Sequence, residues 1–248
     1  MQKKRYIRYK IFNMEKLDGN NRKDRRTFLG QLTAGAATLG IAGLLTPLQQ
    51  LRAGTSGDSP ASMIEPEEWF KKIKGRHRIV FDVTKPNELM PFAWPRVFLL
   101  TNQATGTAAA DCSVVVILRH DGIPYAFKNE VWAKYNLGEV FKAHDPATKK
   151  PSVRNPFWQP AKGEYKIPGF GAVEIGINEL QDSGVMFCVC DAAMTVYSAV
   201  VAEGMKMDAA EVKKEWVAGL LPGIEVMPSG VWAVGRAQEH GCAYCYAG

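Results

Sequence analysis

The sequence predicts an α/β fold: a three-layer sandwich in which helices cover both faces of a mostly parallel sheet of about five strands. Residues 113–119 (SVVVILR) form a continuous β-branched run, which is typical of a parallel strand buried on both faces. Residues 185–190 (VMFCVC) are a second apolar run of strand length. Stretches with the apolar spacing of helices separate such runs, and this alternation indicates right-handed βαβ units.

Five segments are predicted as strands because apolar or β-branched residues lie between turn signals. They are residues 78–84 (RIVFDVT), 113–119, 185–190, 224–227 (IEVM) and 242–246 (CAYCY). The fourth follows the turn signal Pro222-Gly223, and the fifth is the last apolar stretch of the sequence.

Apolar spacing predicts helices at residues 91–103, 128–137, 172–182 and 192–203. Two further helices carry cap signals. Asp208 opens one of them, with Glu211 three residues later as in a capping box, and Pro222 ends it. Ser229 caps the last helix, which is expected to run to about residue 239.

Residues 141–171 fit neither pattern. They hold five prolines among polar and aromatic residues and are predicted to form a long excursion over one end of the domain. Trp158, Phe157 and Tyr165 are candidates either for a lid over a ligand or for anchors of a long loop. Upstream, residues 54–76 are predicted as a linker followed by a short helix around residues 67–72, so the domain itself spans residues 77–248.

Charge is unevenly divided along the chain. The net charge is +6, yet residues 1–53 contain eleven Lys or Arg and only three acids. Residues 54–248 contain twenty bases and twenty-two acids. The basic excess therefore belongs to the leader, and the domain has no basic stripe of the kind that binds nucleic acid. The sequence also lacks the phosphate-binding glycine motifs and the H-E-x-x-H motif.

The leader, residues 1–53, contains residues 24–30 (DRRTFLG), which resemble a twin-arginine export signal. Twenty-five uncharged residues, 27–51, follow the arginines, and Ala53 offers a small residue for cleavage. The resemblance implies export of an already folded protein to the periplasm. If the leader is retained it becomes a membrane anchor. Met14, rather than Met1, is an alternative start that gives a leader of ordinary length.

The domain resembles the DsrE/DsrF-like sulfur-relay family. The resemblance rests on residues 114–121 (VVVILRHD), 184–190 (GVMFCVC), 220–226 (LLPGIEV) and 229–231 (SGV). It implies a small α/β protein that assembles as a homo-oligomer, a trimer or a hexamer. Some members carry sulfur as a cysteine persulfide, which implies a sulfur-donor or acceptor protein as partner. The family's strand-end histidine is matched by His120, and its cysteine at the end of the third strand by Cys190.

Cys190 is the main catalytic candidate, with His120 as its helper. A residue at a strand end just before a helix lies where α/β sheets bind ligands, and the helix N–H groups favour a thiolate. The negative charge of Asp191 disfavours a thiolate beside it unless the Asp191 side chain turns away. The alternative is that Cys190 is a small buried hydrophobe. Cys188 is expected on the same strand face but deeper in the core, and Cys112 is expected to be structural.

The terminal pair Cys242 and Cys245 has three interpretations. It forms a disulfide in an exported protein, it acts as a redox or persulfide-resolving pair, or it joins Cys188 and Cys190 in a four-thiolate site for zinc or an iron–sulfur cluster. Apart from that metal alternative, no cofactor is predicted. The sequence therefore leaves three functions open: a sulfur carrier, a non-catalytic oligomeric ligand-binding module, and a metal-binding or electron-transfer accessory.

Overall fold

The computed structural model describes residues 65–167, 169 and 171–248. Its main sheet has five strands: β1 (His77–Val83), β2 (Cys112–Leu118), β5 (Met186–Cys190), β6 (Ile224–Met227) and β7 (Ala243–Tyr246). All five are parallel, and they lie side by side in the order β6-β5-β2-β1-β7. The predicted α/β fold with about five mostly parallel strands is confirmed.

Eight α-helices and two 3₁₀ helices surround the sheet among the described residues. The α-helices are α1 (Pro66–Phe70), α2 (Met90–Ala104), α3 (Asn129–Tyr135), α4 (Leu137–Val140), α5 (Ile177–Asp182), α6 (Asp191–Met205), α7 (Ala209–Ala218) and α8 (Gly230–Glu239). The 3₁₀ helices are Ala109–Asp111 and His120–Ala126. The predicted caps are confirmed, since Asp208 accepts hydrogen bonds from Ala210 N and Glu211 N, and Ser229 accepts one from Trp232 N.

The helices divide between the two faces of the sheet, and strand side chains alternate between them. Val80 and Ile117 pack in a smaller core cluster with α1 and α8. Phe81 and Val116 pack in a larger cluster with α2, α3, α5, α6 and α7. The structure is therefore three-layered, with an apolar core on each side of the sheet.

The chain reverses its direction across the sheet once. β1, β2, β5 and β6 follow one another in space, and the chain then returns to place β7 on the far side of β1. The helix after β5, α6, lies on the face of the larger cluster, whereas the helix after β6, α8, lies on the other face. The carboxyl ends of β5 and β6 therefore form a topological switch point, the place where open α/β sheets bind ligands.

The predicted excursion contains little regular structure among its described residues. Its one ladder pairs β3 (Lys166–Ile167) with β4 (Gly171–Ala172). Asn155 anchors it, since its fully buried amide donates to Tyr125 O and Phe127 O at 2.9 and 3.0 Å and accepts from Phe157 N at 3.1 Å.

The aromatic side chains of the excursion act as anchors. Phe157 is fully buried, Tyr165 is 5% exposed, and their rings stack with centroids 5.3 Å apart. Trp158 is partly buried against the same cluster. The packing of Phe157 and Tyr165 in the core therefore leaves them unavailable as a lid.

Helix α5 begins five residues later than predicted. Residues 171–172 pair as β4, and the helix starts only at Ile177, where the Glu179 carboxylate accepts a hydrogen bond from Gly176 N at 2.7 Å. The predicted leader, its cleavage site, the choice between Met1 and Met14, and most of the predicted linker lie outside the described residues. Within residues 65–248, apart from 168 and 170, no helix is long and apolar enough to cross a membrane.

Candidate functional site at the switch point

Cys190 lies at the switch point as the last residue of β5 and the N-cap of α6. Its Sγ accepts a hydrogen bond from Ala193 N at 3.3 Å. The thiol therefore occupies the position where a serine or aspartate side chain usually caps a helix, and where partial positive charge favours an anionic sulfur. The residue is 6% exposed, so access to the sulfur is narrow.

The charge of Asp191 is balanced by a cation. Its carboxylate turns towards α7 and pairs with Lys213 Nζ at 2.9 Å. The unfavourable charge that the sequence places beside the thiol is thus neutralised. This pairing requires the packing of α6 against α7, which local sequence does not reveal.

Arg119 follows β2, and its guanidinium turns towards β1, away from β5. The ladder pairs Leu118 with Val189, so Arg119 and Cys190 occupy the next positions on neighbouring strands, which lie about 4.8 Å apart. Arg119 binds the Asp82 carboxylate through two nitrogens, Nε to Oδ1 at 2.6 Å and Nη2 to Oδ2 at 2.8 Å. The hydrogen bonds from Arg119 to Asp82 raise the pKa of the guanidinium, although its burial works in the opposite direction.

Asp82 is the buried member of this network. It is 1% exposed at the end of β1, and Tyr244 of β7 donates a hydrogen bond to its Oδ2 at 2.8 Å. β1, the residue after β2, and β7 therefore contribute side chains to one charged cluster. Sequence analysis missed Asp82, Arg119 and Tyr244, although an acid inside the apolar run RIVFDVT is a signal that such a residue needs a partner.

His120 makes no hydrogen bond with Cys190. It begins the 3₁₀ helix after β2 with a left-handed φ of 50°, and its ring is exposed. Its Nδ1 lies 2.8 Å from the hydroxyl of Tyr197, which also donates a hydrogen bond to Asp121. Burial and the bond to Asp121 raise the pKa of Tyr197. His120 therefore belongs to a surface cluster beside α6, and the structure shows no bond that would let it take a proton from the thiol.

Cys188 and Cys190 do not share an environment. Cys188 is fully buried in the smaller cluster with α8, whereas Cys190 packs in the larger cluster, because the chain turns into α6 at that residue. Burial raises the pKa of Cys188 well above its ordinary value, which keeps it a neutral thiol. The expectation that both lie on one face is wrong, but the expected core role of Cys188 fits its burial.

The terminal pair lies far from β5. Ala243 pairs with Ile79 and Cys245 with Phe81 on β1, so β7 is separated from β5 by three strand spacings, about 14 Å. Cys242 packs with the smaller cluster and Cys245 with the larger one, and both are free thiols. Burial raises the pKa of Cys242 to about 11.

The structure does not bring the four predicted thiolates together. Cys188 and Cys190 lie on β5, whereas Cys245 lies on the edge strand β7, three strands away, and Cys242 directly precedes that strand. Tetrahedral thiolate ligands must all lie about 2.3 Å from one metal ion. In the part of the chain that the structure describes, no group of three His, Cys, Asp or Glu side chains is placed to hold a metal ion.

Comparison with known proteins adds no assignment. No protein-family model matches the chain, and no curated protein matches it. Among solved structures, a protein of unknown function from Methanobacterium thermoautotrophicum is similar, with 19% identity and a TM-score of 0.32. That similarity covers 68% of this chain and 98% of the other. A likeness this distant carries no argument about function.

Proposed function

We propose that the chain is an exported sulfur carrier in which Cys190 holds a sulfane sulfur as a persulfide and passes it to a partner thiol. The observation that carries the proposal is the place of the Cys190 sulfur. It caps α6 at the switch point and accepts a hydrogen bond from the Ala193 N–H. A helix N-terminus is one of the surroundings that make a cysteine nucleophilic.

The chemistry proceeds in two displacements. The Cys190 thiolate attacks the sulfane sulfur of a donor, a sulfur–sulfur bond forms at Cys190, and the donor's sulfur–sulfur bond breaks with its electron pair leaving on the donor residue. A partner thiolate then attacks the outer sulfur, takes it as its own persulfide, and releases the Cys190 thiolate. No oxidant is consumed, because each step exchanges one sulfur–sulfur bond for another.

Mass spectrometry tests the proposal. The reduced protein is incubated with thiosulfate or polysulfide, and peptides are searched for one added sulfur atom on Cys190. Cys190→Ser keeps an oxygen cap for α6 and should take up none, whereas Cys245→Ser should behave as the unmodified chain. Absence of the adduct, at a Cys190 that iodoacetamide still alkylates, would contradict the proposal.

The periplasmic location is a proposal that rests on the leader alone. Arg25→Lys together with Arg26→Lys should leave the protein in the cytoplasm, because the twin-arginine route reads both residues. Fractionation of cells that produce the two forms measures this. Equal recovery of both forms in the periplasm would refute this export route.

Homo-oligomer formation is also proposed, and an exposed apolar stripe on α6 and α7 supports it. Val196, Val200 and Val217 are 59%, 57% and 41% exposed. Light scattering on the full chain should give a trimer or hexamer, and Val196→Lys with Val200→Lys should yield monomers. A monomeric starting protein would contradict the proposed assembly but not the sulfur chemistry.

A further inference from the structure

β7 is an open edge of the main sheet. Within the described residues it pairs only with β1, on one side. Ala247 N donates to Asp82 O, so the odd-numbered residues of this stretch turn their N–H and C=O groups towards β1. Since these groups point to alternate sides along a strand, those of Tyr244 and Tyr246 point outward. The outer edge of β7 therefore offers two donors and two acceptors to a further strand.

The two edges of the sheet differ in their protection against such pairing. Edge strands usually carry a charge or lie beside prolines, which keeps other chains from joining them. β6 follows this rule, since it contains Glu225 and lies between Pro222 and Pro228. Residues 241–248 (GCAYCYAG) have no charged side chain and no proline. β7 is therefore the edge whose sequence permits another strand to join it.

The side chains of β7 are accessible on both faces of the sheet. Tyr244 and Tyr246 are 46% and 52% exposed, and they lie on the face of the smaller cluster because Tyr244 stands opposite Val80. Cys245 stands opposite Phe81 on the other face and is partly exposed. A strand that joins β7 would therefore meet two tyrosines on one face and a free thiol on the other.

Cys245 has no suitable disulfide partner within its own strand. Cys242 lies three residues away along an extended chain, which separates the Cα atoms by about 10 Å at 3.3 Å per residue. A disulfide needs Cα atoms no more than about 7 Å apart, and the two side chains pack on opposite faces of the sheet. The chain has five cysteines, an odd number, which in an exported protein points to a bond between molecules.

Two β7 strands that pair antiparallel about a twofold axis have one best register. When the axis passes between the two Cys245 residues, Tyr244 of each copy lies opposite Tyr246 of the other, and every outward N–H and C=O group finds a partner. Centring the axis on either tyrosine loses part of these bonds. The next positions, Cys242 and Gly248, already have a backbone group bonded within the chain.

This register brings the two Cys245 thiols together. They form a non-hydrogen-bonded pair, whose Cα atoms lie about 4.5 Å apart and whose side chains share one face. Disulfides span Cα distances of about 4.4–6.8 Å, so the sulfurs can join without a backbone shift. The contact itself is small, because β7 has only four residues, and stable interfaces bury about 1,000 Å² or more. A covalent bond is therefore what makes the contact permanent.

We infer that β7 docks a second copy of this chain, and that oxidation joins the two Cys245 residues in a disulfide across the twofold axis. The inference deepens the proposed homo-oligomer and is independent of the chemistry of Cys190. Together with a threefold contact through the stripe on α6 and α7, the twofold contact gives a hexamer. Export to an oxidising compartment is the step at which the bond would form.

The bond forms by two thiol–disulfide exchanges. A Cys245 thiolate attacks an oxidising disulfide of the glutathione class, forms a mixed disulfide and releases one thiol. The Cys245 thiolate of the second copy then attacks the first Cys245 sulfur, and the second thiol leaves. Two protein thiols are thus oxidised while one donor disulfide is reduced.

Non-reducing electrophoresis and peptide mass spectrometry test the inference. The full reduced chain is incubated with oxidised glutathione at mildly alkaline pH, because burial raises the pKa of Cys245. Cys112 is the internal control, since it is also a partly exposed free thiol. Facing thiols have a millimolar effective concentration, so at about 10 μM protein the link between two Cys245 residues should form about 100-fold faster than a link between two Cys112 residues.

Two sets of variants separate the strand contact from the other proposed contact. Tyr246→Pro removes an outward N–H that β1 does not use and should lose the link, whereas Tyr246→Phe keeps the N–H and should keep the link. Val196→Lys with Val200→Lys removes the contact through α6 and α7. That chain should be a monomer when reduced and a dimer linked through Cys245 when oxidised.

Links that involve Cys112 as often as Cys245, or a bond between Cys242 and Cys245, would overturn the inference, and neither result requires a variant. Protection of Cys245 from iodoacetamide in a monomeric chain would show that another part of the chain covers β7, which also overturns it. A trimer in light scattering that forms no link through Cys245 would refute the β7 contact and leave the contact through α6 and α7 standing.

Discussion

Comparing the stabilities of Cys190→Ser and Cys190→Ala shows whether the Cys190 sulfur acts as a helix cap or only packs in the core. Alanine removes the acceptor for the Ala193 N–H, which costs about 1 kcal/mol for a typical N-cap, and it removes a buried sulfur worth about 1 kcal/mol more. Serine loses the sulfur but keeps an acceptor at the cap. We expect Cys190→Ser to be more stable than Cys190→Ala by about 1 kcal/mol in urea unfolding, or by about 2–4 °C in Tm for a domain of this size.

Cys188 provides the matched control two residues away. Its Sγ is fully buried in the middle of β5, with no hydrogen bond within the described residues. A serine hydroxyl there would lack a partner at a cost of about 1–3 kcal/mol, so alanine should be the more stable replacement. We therefore expect serine to be the more stable replacement at position 190 and alanine the more stable one at position 188. If Cys190→Ser proves less stable than Cys190→Ala, the sulfur is a packing residue and the reasoning about its cap is wrong.

Three further outcomes follow from the structure. Asn155→Ala should lower the free energy of unfolding by about 2–4 kcal/mol in urea titrations, since it leaves three buried backbone groups unpaired; a loss under 1 kcal/mol would contradict this. Folding raises the pKa of Cys242 to about 11, so its stabilising effect is complete below pH 9 and is lost towards pH 11, by at most about 3 kcal/mol. Subtracting the unfolding free energy of Cys242→Ala at each pH isolates this effect, and a flat difference would refute it. Gly235→Ala should raise the free energy of unfolding by up to about 1 kcal/mol because its Cβ meets open space, whereas Gly138→Ala should lower it because its Cβ would lie 2.0 Å from Ser152 O.

Much of the fold could be predicted because the strands are short, apolar and separated by helices with visible caps. The apolar runs around Val115 and Phe187 predicted the bounds of β2 and β5 to within one residue, and Ser229 predicted the start of α8. The excursion was harder, because its order comes from Asn155 reaching backbone groups 28 and 30 residues away. Such a long-range contact has no local pattern.

The candidate site could be predicted only in part. Cys190 could be placed at a strand end next to a helix, because both elements are visible in the sequence. The partners of that site come from separate strands, and single-sequence reasoning gives no strand order, so the meeting of Asp82, Arg119 and Tyr244 was out of reach. For the same reason the predicted role of His120 as a helper of the thiol finds no support, because its ring is bonded to the hydroxyl of Tyr197 instead.

The pairing of β7 with β1 determines when the Asp82–Tyr244 contact can form during folding. Tyr244 and Asp82 are 162 residues apart in the sequence, so their contact forms only after nearly the entire domain is available to fold. Until then the Asp82 carboxylate lacks the hydroxyl that helps to hold it. The charged cluster of Asp82, Arg119 and Tyr244 is therefore among the last parts of the domain to form, and its completion marks a chain that has folded as far as β7.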